Sequence, residues 1–77
     1  MLKSGYEHAY EHFQDALAKA RDDKGLSQVD LAKLLGESQQ LISKIETGER
    51  RLDVVEFMII IRAIGCSADE ILSKIKL

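Results

Sequence analysis

The stretch SQVDLAKLLGESQQLISKIETG, residues 27–48, decides how the chain is read. It encodes two short helices joined by a tight turn. Ser27 is placed to cap the first, and Asp30 three residues later completes a capping-box pattern. Val29, Leu31, Ala32, Leu34 and Leu35 then recur at helical spacing. Gly36 supplies the left-handed residue that a tight exit requires. Ser38 caps the second helix and Gly48 closes it. Within that second helix Ile42 and Ile45, three apart, are expected to face inward. Gln39, Gln40, Ser43 and Lys44 fall on another face.

That face carries two amides, a hydroxyl and a cation, and no acid. These residue types suit base edges. A Gln amide donates and accepts at once, which matches adenine N6 and N7, while Lys suits guanine O6 and N7 or a phosphate. A helix of this length fits the major groove of DNA, entering by its N-terminal turn. The plainer reading is a solvated polar face on a packed helix, and composition alone leaves both open.

Over residues 26–57, LSQVDLAKLLGESQQLISKIETGERRLDVVEF, the chain resembles the Cro and phage-repressor type helix-turn-helix family, also called the XRE family. The matching elements are Leu26-Ser27-Gln28, Leu31-Ala32, Gly36, Gln39, Ile42-Ser43-Lys44-Ile45-Glu46, Gly48 and Glu49-Arg50-Arg51. The likeness extends from about Phe13 to Leu72. It implies an all-α, five-helix, lambda-repressor-like domain that binds double-stranded DNA. It also implies that Gln28 contacts phosphate and braces Gln39. By the same resemblance, Arg21 pairs with Glu46 and ties the first helix to the second helix of the motif. The bland alternative for Arg21 is an exposed cation near a helix C-terminus, which the helix dipole also favours.

Length and composition agree with a small helical domain. Seventy-seven residues make one domain. The chain is 45% hydrophobic and has no proline and few aromatics. No apolar run is long enough to span a bilayer. The N-terminus, MLKSGYEHAYEH, lacks the apolar core of a signal peptide. A single cysteine forms no internal disulfide, so a cytoplasmic home is expected. The net charge of −2 argues against an indiscriminate nucleic-acid binder.

Outside the motif, Ser4 with Glu7 forms a further capping-box pattern, so the first helix is expected to begin near Gly5. Tyr6, Ala9, Tyr10, Phe13, Leu17 and Ala20 trace one apolar stripe, and Gly25 ends the helix with Leu26 packing back. Residues 1–12 are expected to extend the first helix, and residues 13–77 to form the domain proper. His8 and His12, four apart, share a face, but two further ligands are not evident. No metal and no cofactor are therefore expected. Cys66 precedes a helix start, where a thiolate would be favoured. Without a His or Asp beside it in sequence, a structural cysteine is the better reading.

After Gly48, Arg50 and Arg51 form a loop positioned to touch the phosphate backbone, unless they are ordinary solvated charge. Asp53 and Glu56 cap a fourth helix, Val54 to Ile64. Phe57, Ile60, Ile61 and Ile64 share its inward face, leaving Val55, Met58 and Ile59 to the side or outside. Such apolar residues mark a helix buried deeper than usual or a dimer interface. Ser67, with Glu70, begins a fifth helix whose apolar side is Ile71, Leu72 and Ile75. The expected dimer contacts are Val55, Met58, Ile59, Ile71, Leu72 and Ile75, without a ranking of the two surfaces.

No phosphate loop, zinc-type Cys/His cluster or serine elbow occurs, so an enzyme is not expected. The first functional reading is a sequence-specific transcriptional regulator, a repressor, reading a palindromic operator as a homodimer. There Ser38 would hold a phosphate, Gln39, Gln40, Ser43 and Lys44 would read bases, and Leu41 would touch a thymine methyl or pack beside the backbone. Glu37 departs from the family pattern, since an acid just before Ser38 is disfavoured near phosphate. The second reading is a protein-interaction module on the same fold, such as the antitoxin partner of a toxin.

Overall fold

Four helix starts share one device. Ser27, Ser38, Asp53 and Ser67 stand in extended backbone, and each side-chain oxygen accepts the backbone N–H three residues on. Ser27–Asp30 and Asp53–Glu56 close reciprocal capping boxes. The computed structural model describes residues 6–77. Its helices are α1 (Glu7–Asp23), α2 (Gln28–Leu35), α3 (Gln39–Thr47), α4 (Val54–Ile64) and α5 (Ala68–Leu72), with no strand among the described residues. The Ser4 capping pattern and a start near Gly5 lie outside the described residues. No described helix is long and apolar enough to cross a membrane.

The helix ends are equally local in origin. At the end of α1 the Leu26 N–H returns to the Arg21 carbonyl at 3.2 Å, around Gly25 at φ 74°. Gly48 has a second reason to be glycine. Its φ is 84°, and a Cβ there would lie 2.6 Å from the Gln14 Oε1.

One core joins all five helices. It comprises Ala16 and Leu17 of α1, Leu31 and Ala32 of α2, Ile42 and Ile45 of α3, Phe57, Ile60, Ile61 and Ile64 of α4, and Ile71 of α5. Each fully buried aliphatic side chain contributes about 1.5–3 kcal/mol against remaining exposed. Phe13 bridges α1 to α4, with its ring centroid 5.2 Å from that of Phe57 in an edge-on contact.

Three apolar expectations are corrected. Val29 and Leu34 stay 47% and 60% exposed, because only the Leu31–Ala32–Leu35 side of α2 meets the core. Tyr6 is 46% exposed and stands outside the α1 stripe. Ile71 is 1% exposed and belongs to the core, so it offers nothing to a dimer contact. The physical reason is length: α5 has five residues, and its one inward position is Ile71. Leu72 remains exposed and Ile75 half-buried.

Residues on either side of position 12 are one helix, since α1 runs unbroken from Glu7 to Asp23. Tyr10 fastens it to the loop before α4, its hydroxyl accepting the Leu52 N–H at 3.1 Å.

Candidate nucleic-acid interface

The outward face of α3 is open. Gln39, Gln40 and Lys44 are exposed, and Leu41 and Ser43 are half-buried. The Ser38 hydroxyl accepts the Leu41 N–H at 3.2 Å, which leaves its own O–H free to donate. The first amides of a helix have no partner within it. This corner of the fold therefore presents several donors and the positive end of a helix dipole, a setting that suits a phosphate.

Behind that face lies a braced chain of polar groups. Arg21 of α1 donates from Nε and Nη2 to the two Glu46 carboxylate oxygens at 2.7 and 3.1 Å, and from Nη1 to the Leu26 carbonyl at 2.6 Å. The side chains of this pair are only 14% and 9% exposed. The hydrogen bond to Glu46 raises the Arg21 pKa above its ordinary value. Glu46 Oε1 also accepts from Gln28 Nε2 at 3.0 Å, and Gln28 Oε1 accepts from Gln39 Nε2 at 2.7 Å. The chain thus runs from α1 through the end of α3 and across α2 to the first residue of α3. It leaves Gln39 with a carbonyl and one N–H directed to other partners, the donor–acceptor pair that adenine matches.

Gln14 is a member that sequence reasoning missed. Its Nε2 donates to the Glu46 carbonyl at 3.4 Å, and its side chain fills the space beside Gly48. The available signal was a polar residue lying between Tyr10 and Leu17 on the apolar stripe.

The loop arginines are occupied within the chain. Arg50 Nη2 donates to Glu56 Oε2, while Glu56 Oε1 accepts the Asp53 N–H at 3.1 Å. Arg50 lowers the Glu56 pKa below the usual carboxylate value, and Glu56 raises that of Arg50. The Arg51 guanidinium stands 4.1 Å from the Tyr10 ring centroid. A phosphate contact by either competes with these partners, which the expectation of two free loop cations did not include.

The remaining titratable candidates stay apart. His8 Nδ1 lies 3.4 Å from Glu11 Oε2, whereas His12 Nδ1 accepts the Lys76 N–H at 3.3 Å. Among the described residues no group of three or more His, Cys, Asp or Glu is placed to hold a metal ion. Burial pushes the half-buried Cys66 thiol up, opposite to the effect of a helix start.

A family model described as helix-turn-helix matches residues 17–71, from α1 to the buried Ile71. No curated protein and no solved structure matches the chain.

Proposed function

The chain belongs to the helix-turn-helix family, of the Cro and phage-repressor type, and from that premise we propose that it is a transcriptional repressor reading a palindromic operator as a homodimer. The family binds DNA and is not one of enzymes. The observation that carries the finer reading is the bracing of Gln39 through Gln28 to the Arg21–Glu46 pair. An exposed side chain held by a mostly buried network spends little entropy on meeting a base.

In this reading α3 enters the major groove by its first turn. Gln39, Gln40 and Ser43 meet base edges, and Lys44 meets a guanine edge or a phosphate. Leu41 lies at the edge of that face, against a thymine methyl or the sugar–phosphate backbone. Ser38 and Gln28 hold phosphates, and Arg50 and Arg51 join them by exchanging their internal partners for DNA. Two-fold symmetry sets the half-sites about one helical turn apart. The apolar residues Val55, Met58 and Ile59 on the outside of α4, with Leu72 and Ile75, support a second copy. Its place of action is the cytoplasm, where DNA and a reduced Cys66 coexist.

Selection from random duplex DNA, followed by binding at two salt concentrations, tests the proposal. The expected winner is palindromic and bound far more tightly than bulk DNA. Non-specific binding should show a shallow salt slope, because Lys44 is the one cation on the α3 face and Arg50 and Arg51 are engaged within the chain. No enriched sequence would overturn operator reading and favour the interaction-module alternative, for which the exposed α4 face is the supporting observation.

A further inference from the structure

Glu37 finds no use in the reading above, and a DNA contact is a poor place for it. It sits in the turn between α2 and α3 and is exposed. It also lines a groove of about 300 Å³ between the α2–α3 turn and α4. The floor of that groove is apolar, with Leu41, Leu52 and Ile60. Its polar rim is Glu37, Arg50 and Glu56. Arg50 pairs with Glu56 and also feels the Glu37 carboxylate, so the rim, with two carboxylates and one guanidinium, keeps a net negative charge.

The opposite combination lies on the same surface. Ile59 borders the groove and is 53% exposed. One turn further along α4 stands Arg62, exposed, and no salt bridge among the described residues involves it or Glu37. Around Arg62 the outer face of α4 is Val55, Met58 and Ile59. A groove with an apolar floor and a negative rim therefore adjoins an apolar ridge with one positive charge. Ile59 lies at their shared edge.

We infer that this surface is self-complementary and that its occupant is a second copy of the chain, with the outer face of α4 seated over the partner's groove and Arg62 paired with Glu37 of that partner. The two-fold axis passes near Ile59. A two-fold contact requires that residue i meets j while j meets i, and one acid and one base on either side of a central apolar residue satisfy this. Antiparallel α4 helices also set their dipoles in the favourable sense. Only a few apolar side chains are covered, which places the contact among the weak, micromolar interfaces. The assignment rests on the homodimer reading and names its surface. It also gives Glu37 a role away from phosphate.

The test is self-association without DNA, by sedimentation equilibrium of the full chain. Both charges are exposed, so Arg62→Glu and Glu37→Lys should leave the thermal midpoint unchanged. Each alone should weaken association about tenfold, because a two-fold contact loses two ion pairs at once. The double exchange should return it to within about threefold of wild type. A wild-type dimer that ignores both substitutions would overturn this surface while leaving the homodimer intact. So would losses that add in the double variant. A chain that stays monomeric alone and binds its selected DNA one copy per site would overturn the homodimer reading itself. A second check uses Ile59→Cys in a Cys66→Ala background. Oxidation should link two copies through residue 59, whereas linkage only through Leu72→Cys would place the contact on α5.

Discussion

Helices α3 and α4 are built alike inward and oppositely outward. Each sends isoleucines into the same core, Ile42 and Ile45 from one, Ile60, Ile61 and Ile64 from the other. Outward, α3 shows amides and a lysine, whereas α4 shows Val54, Val55 and Ile59 at 76%, 67% and 53% exposure. Water would accept the first face indefinitely and penalises the second. The inward faces therefore explain why the domain folds, and the outward faces offer two surfaces of opposite chemistry. A polar face organised by a partly buried network suits a ligand that brings its own hydrogen-bonding edges. An apolar face suits one that brings apolar surface.

The likeness of the inward faces can be broken first, and at the largest cost. Ile42→Ala and Ile60→Ala should each destabilise the domain by roughly 3 kcal/mol, a loss of transfer energy plus a cavity. Urea titration with an unchanged m-value would read it. If either cost less than about 1 kcal/mol, the two helices would not share one well-packed core.

Next comes the network that separates the outward faces. Glu46→Ala leaves Arg21 without its carboxylate and Gln28 without an acceptor, and should cost about 2–3 kcal/mol. Because Gln39 loses its brace, base discrimination at its position should fall as well, although the Glu46 side chain is itself only 9% exposed. Glu46→Gln keeps acceptors in place and should do less on both measures. An unchanged thermal midpoint in Glu46→Ala would show that the pair contributes nothing to the fold.

Much of this was legible in the sequence, for identifiable reasons. The caps at Ser27, Ser38 and Asp53 and the exits at Gly36 and Gly48 are set by contacts within a turn, so short-range chemistry settles them. The inward positions of α3 and α4 follow from a period of 3.6 residues. The site was less legible wherever a contact spans the chain. Arg50 and Glu56 are six residues apart, but whether an arginine turns to a carboxylate or to solvent depends on how the loop folds back. Arg51 over Tyr10 and Gln14 beside Gly48 join α1 to residues more than thirty positions later, which no periodicity encodes. Ile71 looked like surface because a helix of five residues is too short for its apolar stripe to be told from its core position.

The capping boxes of α2 and α4 allow a comparison of their own. Hydrogen bonds from Ser27 hold the Asp30 carboxyl below its usual range, and Arg50 with Asp53 does the same for Glu56. A depressed folded pKa contributes stability above the unfolded pKa and loses it as pH falls through the folded one. The advantage of wild type over Asp30→Ala or Glu56→Ala should thus be full above about pH 5 and fade below about pH 4. A difference that persisted unchanged to pH 2 would assign these residues a packing role instead of a charged one.

The finest distinction concerns one cation on the α3 face. Lys44 is exposed and one turn beyond Gln40, so Lys44→Ala should change folding stability by less than about 0.5 kcal/mol. Its effect on DNA separates two roles. A lysine on a guanine should relax preference at one base position and leave the others alone. A lysine on a phosphate should weaken all sequences alike and lower the salt slope by about 1. Gln39 has a carbonyl and an N–H held by a network, whereas Lys44 is a point charge on a flexible stem with no side-chain partner among the described residues. Geometry of that kind favours the phosphate, and so the uniform loss. A base-specific loss would mean that α3 lies deeper in the groove than its first turn alone requires, with its second turn reading as well.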